Sequence, residues 1–200
     1  MTLNPPIVFG VPRSGSTFIF NIIDKLFEDV GGVDSQVHTL DIKDKSLLNN
    51  KVIATYRDFR NCIVSYRKLQ HTNTKLIYIY YKILNSLTCL EYLKELSNDK
   101  VLFLKYEDFF QNFDYIFEKL EDFYNYEFSS EKKEWIIENF NIENINNNLH
   151  KVMKGFNKHH IQNGGKTNWK DYEDWNLLNL EGYPVDIKTK LDFTAALKYH

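Results

Sequence analysis

The stretch VFGVPRSGSTFIFNII, residues 8–23, decides the fold of this chain. Its apolar run ends at Gly10, a short loop with one Arg, two Ser and one Gly follows, and an apolar-periodic run begins at Thr17. This order predicts a strand, a loop and a helix, with small hydroxyl residues where the helix begins. Such loops bind anions because backbone N–H groups and the helix dipole converge there. The stretch therefore predicts an anion site.

Several other short apolar runs are bounded by polar or turn residues, as buried parallel strands are. The strand predictions cover residues 6–10, 51–56 and 100–106, with a weaker fourth at 32–38. The helix predictions cover residues 17–29, 74–97, 107–124, 130–150 and 186–198. Strands that alternate with helices predict an α/β fold, in which helices flank a short parallel β-sheet and form the C-terminal third. We expect a single domain over residues 1–200, with ligands beyond the carboxyl ends of the strands.

The composition limits the partners and the compartment. The 200 residues carry a formal net charge of −2, and 26% of them are charged. This balance argues against nucleic acid and membrane surfaces as partners, so an anion site must use a few local cations. No 18-residue apolar stretch is present and the first strand starts close to Met1, which predicts a cytoplasmic protein without a membrane anchor. Cys62 and Cys89 lie in apolar helical contexts, which predicts buried free thiols, and the alternative is one disulfide between them.

The first loop differs from the phosphate-binding loop of nucleotide kinases. That loop reads Gly-x-x-x-x-Gly-Lys-[Ser/Thr], in which the Lys spans the terminal phosphates and the hydroxyl holds Mg²⁺. From Gly10 this chain reads GVPRSGST, with Ser16 in the place of the Lys. The one cation is Arg13, earlier in the loop. The pattern predicts an anion site with one guanidinium and no metal ligand, the alternative being an ordinary strand-to-helix turn.

Two further stretches carry cations at places where an anion could bind. In TYRDFRNCIVSYRK, residues 55–68, Arg57 follows the strand and Ser65 lies about two helical turns further on. Together they predict a second anion site on the same sheet edge, and the alternative is a salt bridge and a helix cap. In HIQNGGKTNWKDY, residues 160–172, a Gly-Gly pair and Lys166 could close over a charged ligand, although a plain surface loop has the same composition.

Taken together, these stretches resemble the PAPS-dependent sulfotransferase family. PRSGST, residues 12–17, is similar to the loop that binds the 5′-phosphosulfate, and the spacing from Arg57 to Ser65 is similar to the 3′-phosphate motif. GGKTNWK, residues 164–170, resembles the late loop of the family, and LKYEDFFQNF, residues 104–113, resembles its Tyr-Glu-Asp-Leu segment. The four motifs occur in the order of the family and imply its fold, a sulfotransferase variant of the P-loop NTPase architecture.

The resemblance also implies which residues bind the donor, PAPS, and its product, PAP. Arg13 would hold the oxygen that bridges sulfur and phosphorus, where charge develops as the leaving group departs. The other implied contacts are Ser14, Gly15, Ser16 and Thr17 on the 5′-phosphate, Phe18 on adenine, Arg57 and Ser65 on the 3′-phosphate, and Gly165, Lys166 and Thr167 as its cover. His38 resembles the general base of the family, with a structural histidine as the alternative.

The implied reaction moves a sulfuryl group from PAPS to a hydroxyl or amine by in-line displacement without a metal. The acceptor would be a small molecule or a glycan, which the sequence does not name. Only about twenty residues separate the first loop from His38, too few for the loops with which longer members of the family enclose small acceptors. We therefore expect an open cleft, and the alternative is that the helix predicted over 74–97 folds across the opening. The alternatives are a P-loop-type small-molecule kinase and a non-catalytic nucleotide-binding module.

Overall fold

The structure is a computed structural model that describes residues 6–33, 35–38, 40, 50–69 and 76–145. The stretch 160–172 and the helix prediction at 186–198 lie outside these residues. Over the described part of the chain, none of the helices has the length and apolar character needed to cross a membrane.

The described strands form one parallel sheet, as predicted. The strands are β1 (Ile7–Gly10), β2 (Ser35–Val37), β3 (Val52–Tyr56) and β4 (Val101–Lys105). Their spatial order is β2-β1-β3-β4, and every pair is parallel. Because all strands run the same way, their carboxyl ends lie at one edge of the sheet. Gly10 is in register with Thr55 at that edge.

Most of the helices match the predicted ranges, although those ranges did not include one over 59–69. They are α1 (Ser16–Leu26), α2 (Phe59–Leu69), α3 (Leu76–Lys94), α4 (Tyr106–Phe109), α5 (Phe113–Tyr124) and α6 (Ser130–Phe140). The helix predicted over 107–124 is divided in two, because Gln111 has a positive φ of 63° and Asn112 caps α5 by accepting from the Tyr115 N–H. A polar side chain that bonds the local backbone favours a cap over a helix interior.

Both faces of the sheet are covered. Alternate side chains of a strand point to opposite faces, and in β1 the side chain of Phe9 packs with α2 and α3, whereas that of Val8 packs with α1, α5 and α6. Cys62 and Cys89 are buried free thiols, as predicted. With both faces occupied, the carboxyl edge is where the sheet can meet a ligand.

Candidate functional site

The loop between β1 and α1 has a glycine at each end, Gly10 and Gly15. A Cβ on Gly10 would overlap Ser16 Cβ and come within 2.5 Å of Thr55 Oγ1. Gly15 has a φ of 82°, and a Cβ there would lie 2.8 Å from the rings of Tyr106 and Phe109. Both positions require glycine for steric reasons, which keeps the loop tight against β3 and α4.

Ser14 anchors this loop to β3. Its N–H donates to Val11 O at 3.0 Å, and its hydroxyl donates to Thr55 O at 3.1 Å while lying 2.7 Å from Thr55 Oγ1. Beside it, Arg13 has a φ of 72°. This left-handed conformation costs a residue with a Cβ about 1–2 kcal/mol. The contacts of Ser14 and the two glycines therefore hold Arg13 in a backbone conformation that it would not adopt on its own.

The N-terminus of α1 presents its dipole to the sheet edge. Its N-cap residue is Gly15, which has no side chain to accept from the first N–H groups of the helix. The first turn, which lies within the described residues, carries no acidic residue. The hydroxyls of Ser16 and Thr17 both accept from Gln36 Nε2, at 3.2 Å and 3.0 Å. The first turn of a helix has N–H groups without intrahelical partners and a partial positive charge, so this end of α1 favours an anion.

Arg13 and Ser65 lie in direct contact, although the family resemblance assigns them to different phosphates. Arg13 Nε donates to Ser65 Oγ at 3.0 Å, and Ser65 is buried in α2. Burial lowers the pKa of Arg13 below its ordinary value, and the positive charge of nearby Arg57 lowers it further. The structure thus brings Arg13, Arg57 and Ser65 together in one cluster next to the loop.

Arg57 is held on the aromatic ring of Tyr106. Its guanidinium carbon lies 4.0 Å from the ring centroid, and Arg57 Nε lies 3.4 Å from Glu107 Oε1. Burial raises the pKa of Tyr106 to about 12, so its phenol stays neutral even above the ordinary pKa of a tyrosine. Two guanidinium groups so near each other repel, and bringing them out of water adds to this cost. Glu107 offsets part of this cost at Arg57, and an anion that bound near both guanidinium groups would offset more.

His38 follows β2 and reaches back to the first loop. His38 Nδ1 lies 2.7 Å from Gly10 O, and the carbonyl of His38 accepts from Ser86 Oγ of α3 at 2.6 Å. Since a carbonyl oxygen only accepts, Nδ1 is the donor, and Nε2 of the neutral ring carries the lone pair. The side chain is exposed at the sheet edge. In this tautomer, Nε2 is able to accept a proton from a substrate.

Phe18 packs in the core. Its ring is 2% exposed, with centroids of Phe110 and Phe113 5.4 Å and 6.1 Å away and that of Phe109 at 6.5 Å. The predicted stacking of this ring on adenine would require it to leave these contacts. Gly165, Lys166 and Thr167 lie outside the described residues, so their contacts stay predictions.

Two polar residues of the site were missed in the sequence. Gln36 lies two positions before His38, and residues two apart in a strand share a face. Thr55 is a buried polar residue at the end of an apolar strand, beside Arg57. The sequence thus contained a signal for each of them, but their partners depend on how the strands pair. Among the described residues, no group of three or more His, Cys, Asp or Glu side chains could hold a metal ion.

A family model described as a sulfotransferase domain matches residues 38–176. No curated protein matches the chain. The fold is similar to that in the crystal structure of mouse sulfotransferase SULT7A1 complexed with PAP, with a TM-score of 0.62, 13% sequence identity, and coverage of 94% of this chain and 90% of that one. At this identity the structural likeness bears on the fold alone.

Proposed function

The chain belongs to the sulfotransferase domain family, and from this premise we propose that it transfers a sulfuryl group from PAPS to a hydroxyl or amine of an acceptor. The observation that carries the proposal is the pair of neighbouring guanidinium groups, Arg13 and Arg57, at the sheet edge where α1 begins. PAPS has a 5′-phosphosulfate and a separate 3′-phosphate, and a helix N-terminus beside two cations suits a ligand with two anionic groups.

The donor would occupy the loop and the cluster together. Ser16 and Thr17, with Gly15 before them, would bind the 5′-phosphate through N–H and hydroxyl groups at the start of α1. Both donors of Ser14 are bonded within the protein, so we propose that Ser14 shapes the loop. Arg57 would bind the 3′-phosphate together with Ser65.

Arg13 would serve the reaction through the N–H donors that it does not use on Ser65. A guanidinium carries five N–H donors in a plane, so Arg13 can hold Ser65 through Nε and direct its terminal nitrogens toward the ligand. There it would bind the oxygen between sulfur and phosphorus. That oxygen gains negative charge as the S–O bond breaks, and a donor held in place beforehand stabilises this charge.

His38 would act as the general base. The acceptor oxygen or nitrogen attacks sulfur, the bond from sulfur to the bridging oxygen breaks, and PAP leaves with the electron pair. The proton of the acceptor passes to His38 Nε2, which has its lone pair because Nδ1 donates to Gly10 O. General-base assistance of this type contributes about 10²–10⁴-fold to a rate.

The acceptor would be a group that protrudes from a larger molecule. His38 is exposed at the end of β2, and a base that solvent can reach can also be reached by the end of a glycan. A transfer screen with labelled PAPS, comparing glycans with phenols and sterols, tests this choice. Transfer to small phenols alone would contradict it.

The proposal is tested first by nucleotide preference. A charge-assisted hydrogen bond contributes about 1.5–3 kcal/mol, so the contacts of Arg57 with a 3′-phosphate make PAP bind at least about tenfold more tightly than AMP. Calorimetry with PAP, AMP and ATP measures the preference. Equal affinities for PAP and AMP would remove the second anion site, and Mg²⁺-dependent turnover of ATP would favour a kinase. Tight PAP binding without transfer to any acceptor would favour a binding module.

A further inference from the structure

Gln36 contacts the start of α1 and has no role in the reaction proposed above. It is the middle residue of β2, and its backbone is in parallel register with Val8 of β1. From there the side-chain amide nitrogen reaches two hydroxyls at once, those of Ser16 and Thr17, at 3.2 Å and 3.0 Å. β2 and the residue that follows it thus contact both ends of the first loop: Gln36 contacts the start of α1, and His38 contacts Gly10 at the end of β1.

The direction of these hydrogen bonds fixes what the two hydroxyls can do. A hydroxyl group has one O–H donor and two acceptor lone pairs, and its hydrogen rotates to suit its neighbours. An amide nitrogen only donates, so each hydroxyl must accept from Gln36. The hydrogen of each hydroxyl is then directed away from the amide and remains available as a donor to another partner.

We propose that Gln36 is a positioning residue, whose amide holds the Ser16 and Thr17 hydroxyls as donors to the 5′-phosphate of the bound nucleotide. The inference rests on the proposed function, because it needs an anion at the start of α1. Without the amide, either hydroxyl can turn its hydrogen toward a protein acceptor or water. An anion that arrives must then reorient the hydroxyl, and binding weakens.

The first test replaces the amide and compares two nucleotides. Gln36→Met keeps the length of the side chain and removes its donor. Both hydroxyls remain and lose only their fixed orientation, so we expect PAP binding to weaken several-fold, less than the loss of about tenfold or more that follows when a whole charge-assisted hydrogen bond is removed. Adenosine 3′-phosphate has no 5′-phosphate, so its affinity stays unchanged in the same variant. Calorimetry with both nucleotides gives the two numbers. A general loosening of β2 would weaken both nucleotides alike and would overturn the inference.

A double-mutant cycle separates positioning from direct contact. In a Ser16→Ala, Thr17→Val background there are no hydroxyls to orient, so Gln36→Met has no further effect on PAP affinity. A loss that persists in that background would mean that Gln36 contacts the ligand itself, and would overturn the positioning role.

Two more variants serve as a control and as a replacement. Gln111→Met makes the same chemical change at a glutamine whose partners, Phe140 O and the Ile142 N–H, belong neither to the loop nor to the start of α1. We expect unchanged PAP affinity in this variant. If Gln36→Met does not fold, Gln36→Asn withdraws the same amide by one methylene and carries the same expected loss for PAP alone. Wild-type protein that binds PAP, with unaltered binding in the Gln36 variant, would overturn this inference only. Wild-type protein that does not bind PAP would overturn the proposed function and the inference with it.

Discussion

Arg13 and Arg57 are neighbours with different expected roles, and their alanine variants separate these roles. Arg13 would contact an oxygen that becomes charged only as the bond breaks, so Arg13→Ala should lower kcat more than it raises the Kd for PAP. Arg57 would contact a phosphate whose charge does not change, so Arg57→Ala should weaken PAP binding about 10–100-fold and alter kcat less. Steady-state kinetics and calorimetry measure both quantities.

Arg60 provides the matched control for these two variants. It lies in the same stretch of sequence but pairs with Asp58, at 2.5 Å between Arg60 Nη2 and Asp58 Oδ2. Removing a surface ion pair changes stability by about 0–1 kcal/mol, so Arg60→Ala should leave PAP binding and turnover near the wild-type values. A reversed pattern, with binding lost in Arg13→Ala and turnover lost in Arg57→Ala, would show the roles to be exchanged.

His38 is tested at the same scale by two substitutions. His38→Ala should lower turnover about 10²–10⁴-fold and leave PAP binding unchanged, because the base is removed and the nucleotide contacts remain. His38→Asn retains an amide donor for Gly10 O but has no basic nitrogen, and it should lose as much activity. If His38→Asn keeps most of the activity, the side chain serves only to hold the loop, and Glu107 becomes the next candidate base.

Among the elements, the loop between β1 and α1 should be the least tolerant of substitution. Gly15→Ala would combine a positive φ with an overlap on Tyr106 and Phe109, and we expect it to lower the free energy of unfolding by about 2–4 kcal/mol, the cost of backbone strain together with overpacking. PAP binding should be lost as well. Urea unfolding and calorimetry measure the two effects.

Gly31 is the matched control, because an alanine there has the backbone strain of a positive φ without a steric overlap. It has a φ of 103°, and a Cβ added there would meet nothing within 4 Å. Gly31→Ala should therefore lower the free energy of unfolding by only the strain, about 1–2 kcal/mol, with PAP binding retained. Equal destabilisation in the two variants would mean that the loop has room to adjust, contrary to its close packing against α4.

The elements themselves were largely predictable, whereas the contacts between them were not. Apolar runs and three- to four-residue periodicity mark strands and helices locally, which is why all four strands and most helices were placed correctly. The contact of Arg13 with Ser65 and that of Gln36 with Thr17 depend on which strands lie side by side, and no local pattern contains that information. Phe18 stands at a motif position that implies stacking on adenine. Its burial depends on aromatic residues of α4 and α5, which a match of the motif does not reveal.

At the scale of the whole molecule, several buried groups keep their protons at high pH. Burial raises the pKa values of Cys62, Tyr56 and Tyr106 to about 12. In the unfolded chain a thiol titrates near 8.5 and a phenol near 10, so above about pH 9 the unfolded state loses protons that the folded state retains. The free energy of unfolding should therefore fall as the pH rises from about 9 to 12, by up to about 1.4 kcal/mol per pH unit for a fully buried group such as the Cys62 thiol.

Urea unfolding at a series of pH values measures this dependence. Cys62→Ala removes the thiol and its share of the effect, so the decrease near pH 9 should be shallower in the variant than in the wild type. A free energy of unfolding that is unchanged or rises over this range would show that these groups are not buried in solution.

The hydrogen bonds that build the sheet edge join residues far apart along the chain. Arg13 and Ser65 are separated by 52 positions, and Gly10 and His38 by 28. Contacts of long sequence separation form late in folding, since the chain entropy lost in closing the loops comes before the gain. An intermediate with helices but an open sheet would lack the proposed nucleotide site altogether. A nucleotide that binds only the finished fold slows unfolding and raises the melting temperature. The stabilisation grows with the logarithm of the free nucleotide concentration once that concentration exceeds Kd, and the early steps of folding are not accelerated.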